Sequence, residues 1–320
     1  MRKKIAISCG DPAGIGYEVV AKSLPAFAES DFDFVLFGAA GIFKRLAEKF
    51  DWVHRFWDMV RGGRFEFVDL GGDSDFPVGR IDPRCGEVAF KSILAAAQTC
   101  LRGEAKGLVT APVSKRAIQL AGHPDFFGHT EFLGKIFGAE TTMMLFSGNF
   151  RVALVTTHIP IRRVPDFITA KNILPHLVRT DDALRRWFGI KSPKIAVLAL
   201  NPHAGESGAI GDEETEISAA IDSARRRGIS AEGPLVPDVA FLPALRERYD
   251  AYLAMYHDQG LIPLKTLGFD TGVNITLGLP VPRTSPDHGT AYDIAGKGIA
   301  NPQSFSAAVR TVMDILKNLQ

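Results

Sequence analysis

The chain has 320 residues, with 37 basic and 36 acidic side chains and a formal charge of +1. That length suits one large domain or two closely associated ones with an ample core, and the balanced charge argues against a general nucleic-acid binder. No apolar stretch reaches the roughly 20 residues that a membrane span requires, so no membrane partner is expected.

The opening MRKKIAISCGDPAG is basic, but its apolar run breaks at Asp11. It reads as a first strand and not as a signal peptide. Further strands are expected in FDFVLFG, RFEFVDL, KGLVTAP, TTMMLFS, RVALVTTH, KIAVLALNPH, DAYLAMYH and GVNITLGL. Between them VAFKSILAAAQTCLRG, TDDALRRWFG and EETEISAAIDSARRRG have helical period. The last segment, SFSAAVRTVMDILKNLQ, places Phe305, Val309, Val312, Met313 and Leu316 on one face. Short apolar runs alternating with helices indicate an α/β fold with a mostly parallel sheet. No repeat or linker divides the chain; PDFFGHTEF, around residue 127, is the best internal crossover point. Cys9, Cys85 and Cys100 are widely spaced, with no Cys-x-x-Cys pair, and read as buried reduced thiols of a cytoplasmic protein.

Three of the strand runs close on histidine: VALVTTH at His158, IAVLALNPH at His203 and AYLAMYH at His257. In open parallel sheets, ligands bind outside the carboxyl ends of the strands. Three imidazoles meeting there would suit zinc or a similar divalent ion with an open position. The competing reading is three unrelated histidines that cap strands. Asp258 would then orient a ligand, contact substrate or merely form a turn.

Glycines 10, 14 and 16 in SCGDPAGIGYEVV suit a tight structural turn better than a phosphate cradle. In FFGHTEFLG, Thr130 reads as a helix N-cap behind His129, with Glu131 in the first turn. Lys265, Asn274 and Arg283 recur at intervals of nine residues. Lysine and arginine near glycine-rich backbone suit a phosphate or carboxylate. Asn274, inside the apolar run GVNITLGL, needs partners if buried.

Taken together, GDPAGIG, TAPVSK, GHTEFL, LNPHAGE, AMYHDQGL, GVNITLGLP and DHGTA resemble the PdxA family of 4-hydroxythreonine-4-phosphate dehydrogenases nearly end to end. More distantly, GDPAGIGYEV and DHGTAYDIAGKGIANP resemble the isocitrate and isopropylmalate dehydrogenases. The resemblance implies a two-domain fold of that kind, mostly parallel, with an active-site cleft between the domains. One domain would take residues 1–126 plus 296–320; the other, 127–295, would carry the metal ligands and the dimer interface. It also implies a divalent metal (Zn, Mg, Co or Mn) on His158, His203 and His257, shared between the subunits of a homodimer. Substrate contacts would come from His129, Thr130, Lys265, Asn274 and Arg283. Asp238 and Asp258 would line the site, with Lys265 as a third candidate for proton acceptor. Gly289, Asp293 and Asn301 would lie near the adenosine of NAD, with NADP as the alternative cofactor.

The implied reaction oxidises 4-phosphohydroxy-L-threonine to 2-amino-3-oxo-4-(phosphooxy)butanoate. That product decarboxylates to 3-amino-2-oxopropyl phosphate on the way to pyridoxal 5′-phosphate. Rivals within the family act on D-threonate or D-erythronate 4-phosphate, or on a cis-dihydrodiol. Rivals outside it are a three-histidine hydrolase and a non-catalytic phosphometabolite binder. Tyr17 departs from the proline that often follows GIG, and Ser114 and Ser207 stand at variable positions; any of the three suits a changed substrate.

Overall fold

Alternating apolar runs and amphipathic segments fold here as strands joined by helices, which is how a parallel sheet covers its faces. The computed structural model describes residues 2–71, 75–268 and 271–319. Its strands are β1 Lys3–Ser8, β2 Phe32–Gly38, β3 Glu66–Asp69, β4 Gly107–Thr110, β5 Thr142–Ser147, β6 Phe150–Leu154, β7 Lys194–Leu198, β8 Ser230–Leu235, β9 Ala251–Ala254, β10 Val273–Leu277 and β11 Arg283–Pro286. The apolar runs of the sequence account for all except β8 and β11. SAEGPL and RTSP are too polar to announce themselves. Pro234 is tolerated because β8 ends its sheet, where a missing N–H costs little.

By its contacts the chain forms two compact units. One runs to Ala139 and takes up Leu279–Lys317; the other spans Glu140–Gly278. The sequence reading put the crossovers at 126/127 and 295/296, whereas the units change over at 139/140 and 278/279. The helix His129–Phe137 accounts for the first difference, since its Leu133, Phe132 and Ile136 pack with Ala89, Ile93 and Phe126. Strand pairing accounts for the second, because β11 joins β4 in parallel.

In the first unit the order is β3-β2-β1-β4-β11, parallel throughout. The helix Pro83–Leu101 covers it, starting earlier than its apolar period suggests. Asp82 caps it by accepting the Arg84 N–H at 2.8 Å, and Pro83 takes the first position, where no N–H is needed. The closing helix Gln303–Asn318 buries Phe305, Val309, Val312, Met313 and Leu316, as its pattern indicates. Tyr17 is a core residue: 1% exposed, packed on Phe43, its hydroxyl accepting the Ala39 N–H. Ser114 caps the helix Lys115–Leu120. All three cysteines are free and buried, and burial pushes Cys85 and Cys100 up to about 12.

The second unit runs β10-β5-β6-β9-β7-β8. β5 is antiparallel to both neighbours, and β6, β9, β7 and β8 are mutually parallel. Met143, Leu145, Val152, Leu154, Leu198, Tyr252 and Leu261 form its core. Beside that core Thr142 Oγ1 accepts from Arg179 Nε at 2.8 Å and lies 2.8 Å from His176 Nδ1. Burial, then Arg179, pull this imidazole down to about 4. The unfolded chain takes up a proton near 6.5 that the folded one refuses. Stability is therefore intact above that pH and falls between about 6.5 and 4, by roughly 2 kcal/mol at pH 5. Melting temperatures at pH 7.5 and 5 should show a smaller acid loss for His176→Gln than for wild type; equal losses would refute the assignment.

Candidate active site

In the second unit β6, β9 and β7 are adjacent and parallel, so their carboxyl ends open on one edge. His158 lies four residues beyond Leu154 and His203 five beyond Leu198, while His257 begins the helix His257–Gly268. None of the three ends a strand. The apolar runs overstate the strands because pairing stops where the backbone turns out of the sheet. His158 and His257 come together, with ring centroids 5.7 Å apart, and His257 Nδ1 lies 2.7 Å from Asp258 Oδ1. That contact orients the ring and leaves its other nitrogen open as a candidate ligand. Two imidazoles fit part of a borderline divalent-ion site. Among the described residues, however, no group of three His, Cys, Asp or Glu side chains lies close enough to hold a metal.

His203 is exposed on a loop in which His203, Ala204, Gly205, Glu206 and Ser207 all have positive φ. For a non-glycine residue that conformation costs about 1–2 kcal/mol. Glu214 anchors the loop, its Oε1 accepting the Leu200 and Asn201 N–H groups at 3.0 and 2.8 Å. Asp238 is exposed just after β8, on the neighbouring end of the same parallel set. Lys265 follows His257 by two helical turns, about 12 Å along the axis. Asn274 pairs with Leu145 across β10 and β5, and its Oδ1 is buried without a hydrogen-bond partner.

The first unit assembles a cationic cluster around the start of β11. Arg283 is 1% exposed and donates through Nη2 to Thr110 Oγ1. Burial draws the guanidinium down to about 9, against the opposing pull of Glu131, so it stays cationic at neutral pH. His129 is held well below its usual range by burial, then by Arg283 and Lys115. It is therefore neutral, and its Nε2 is buried with no partner. Thr130 is not the N-cap. The helix begins one residue earlier with Gly128 in that place, and Thr130 lies in the first turn, 6% exposed. Lys115, in TAPVSK, carries no signal of its own in the sequence; only the fold brings it beside His129.

Gly289, Asp293 and Asn301 are all exposed in the same unit. A Cβ on Gly289 would meet nothing, so backbone there is open to approach. Asn301 Oδ1 accepts the Gln303 N–H at 3.0 Å and so helps to start the closing helix, a role the sequence reading did not assign.

Residues 34–312 match the family model of the pyridoxal phosphate biosynthetic protein PdxA. The chain belongs to the PdxA family. It is 43% identical over 328 residues to 4-hydroxythreonine-4-phosphate dehydrogenase of Caulobacter vibrioides, covering 98% of this chain and 97% of that protein. It is 39% identical to D-threonate 4-phosphate dehydrogenase of Salmonella typhimurium, covering 98% and 99%. The crystal structure of 4-hydroxythreonine-4-phosphate dehydrogenase from Klebsiella pneumoniae superposes with a TM-score of 0.83 at 37% identity, over 98% and 99% of the two chains. A β-decarboxylating dehydrogenase from Thermococcus kodakarensis shares the fold alone, at TM-score 0.52 and 14% identity over 99% and 83%. This PdxA-family protein is thus a dehydrogenase with the fold its motifs imply. Among its described residues no helix is long and apolar enough to cross a membrane.

Proposed function

We propose that the protein oxidises 4-phosphohydroxy-L-threonine with NAD, in the synthesis of pyridoxal 5′-phosphate, as a cytoplasmic homodimer. The observation that carries this reading is the cluster of Arg283, Thr130, Lys115 and neutral His129 in a PdxA-family chain. A buried guanidinium beside an unpartnered imidazole nitrogen and a buried hydroxyl suits a phosphate monoester. Asn274 Oδ1, buried and unpartnered, suits a donor on the substrate such as its amino or hydroxyl group. Lys265 supplies a further cation. The free, buried thiols suit a reducing compartment.

His158 and His257 of one chain, with His203 of a second, would hold a divalent metal. Bound there, such an ion lowers the pKa of the substrate alcohol. Bound NAD would accept the hydride from that carbon, and a base of this protein would take its hydroxyl proton. Asp258, Asp238 and Lys265 are the candidates; Asp258 is already engaged with His257, which favours the other two. The resulting 3-oxo acid loses carbon dioxide because the new carbonyl accepts the electron pair left behind. Gly289, Asp293 and Asn301 would face the adenosine of the cofactor.

The Salmonella relative supports a second reading, oxidation of D-threonate 4-phosphate, which keeps the phosphate and the alcohol and lacks the amine. Purified protein with Zn, Mg, Co or Mn, followed for NADH formation on both substrates and on D-erythronate 4-phosphate, separates the two. The highest kcat/KM is expected on 4-phosphohydroxy-L-threonine. Preference for a substrate without the amine would replace this reading with the second.

A further inference from the structure

The helix Gly16–Ser23 follows the glycine turn and carries two charged residues one turn apart, both directed at the segment Gly296–Ala300. Glu18 is 1% exposed, and its Oε1 accepts the Gly296 N–H at 2.6 Å. The amides of Gly298 and Ala300 face the same carboxylate. Lys22 Nζ donates to the carbonyls of Gly298 at 2.7 Å and Ala300 at 2.8 Å, and it lies 5.0 Å above the Trp52 ring. One charge thus takes the donors of the segment and the other takes its acceptors.

As a source of stability this pair is poor. Burial raises the Glu18 carboxyl and lowers the Lys22 ammonium, and Glu18 Oε2 is buried without a hydrogen-bond partner. Apolar residues at the same two positions would cover the helix without desolvating two charges. What they would not do is hold a backbone that offers little to pack. Gly296 and Gly298 sit at φ +72 and +71, and a Cβ on them would come within 2.8 Å of Val78 and 2.6 Å of Phe50. The intervening Lys297 and Ile299 are exposed.

The start of this stretch is tied to the glycine turn in the same way. Tyr292 Oη donates to the buried Asp11 at 2.7 Å, and the Ile15 N–H reaches the Thr290 carbonyl at 3.0 Å. A Cβ on Gly14 would lie 2.9 Å from Thr290, so only glycine allows that approach. The stretch 290–300 is therefore tied to the first turn and the first helix at Thr290, Tyr292, Gly296, Gly298 and Ala300.

We propose that Glu18 and Lys22 are positioning residues for the cofactor: they hold Gly296–Ala300 in the backbone conformation that receives the adenosine end of NAD. The inference rests on the proposed reading that Asp293 and Asn301, which flank this segment, face NAD. The variants are Glu18→Ala, Glu18→Gln and Lys22→Met, the last keeping an unbranched stem over Trp52. Hydrogen exchange of residues 296–300 is read in the cofactor-free protein, NAD binding by calorimetry, and KM and kcat on both substrates. Glu18→Ala and Lys22→Met should speed exchange at 296–300 and weaken NAD binding about tenfold. The kcat and the KM for the phosphorylated substrate should hold, and Glu18→Gln, which keeps an acceptor, should recover most of the loss. Lys22→Met serves as the test if Glu18→Ala melts early. Unchanged exchange, or faster exchange with unchanged NAD affinity, overturns the positioning role and leaves the proposed function standing. A wild-type protein with a well-protected segment that binds no NAD overturns the proposed function and this inference with it.

Discussion

Replacing Arg283 with methionine should lower kcat/KM for the phosphorylated substrate by roughly a hundredfold, about 3 kcal/mol, mostly through KM. The guanidinium is 1% exposed and braced by Thr110, with Glu131 favouring its charged form. It would therefore meet an anion already desolvated and oriented, and the interaction would gain from the low local dielectric. Methionine fills much of the same volume, which separates the loss of charge from the opening of a cavity. Alanine should add a loss of stability, read as a lower melting temperature. Lysine should recover little, because a point charge on a flexible stem does not reproduce the planar fork. Steady-state kinetics with the phosphorylated substrate, beside thermal melts, decide the matter. An unchanged KM in a folded Arg283→Met protein would remove Arg283 from the phosphate site.

The second large effect concerns the histidines. His203→Ala and His257→Ala should each lose bound metal and turnover almost completely, because a catalytic ion of this type keeps three protein ligands and each variant leaves two. Only His158 and His257 converge within one chain, which motivates the proposal that His203 comes from a second. Mixing the two inactive proteins under conditions that exchange subunits should then restore activity. A mixed dimer pairs the intact His158 and His257 of one chain with the intact His203 of the other at one of its two sites. Random mixing would recover about a quarter of the wild-type sites. Metal analysis and NADH formation on the mixture provide the readout. Recovery of nothing from a verified mixed dimer would place all three ligands in one chain. Normal metal content in either single variant would end the three-histidine proposal.

Several features were legible in the residues alone. The apolar runs marked nine strands, and the amphipathic face Phe305–Leu316 marked the closing helix. Both signals are carried by neighbours two to four residues apart, which the chain encodes locally. The motifs also named the candidate site, from His129 to Arg283. Local pattern did not show that β8 and β11 are strands, since SAEGPL and RTSP are held by their partners and not by their own hydrophobicity. Nor did it show Thr130 inside a helix, or Lys115 beside His129.

By itself the sequence determined an α/β chain, its family and the residue types available for phosphate, metal and cofactor. Tertiary structure decided which of them share a neighbourhood. The order β6-β9-β7 put three loops on one edge but brought only two histidines together. The pairing of β11 with β4 buried Arg283 against Thr110. The packing of the first helix against residues 290–300 gave Glu18 and Lys22 a task that no motif announces. Strand order and the burial of charge depend on contacts between residues far apart in the chain, and no local periodicity records them.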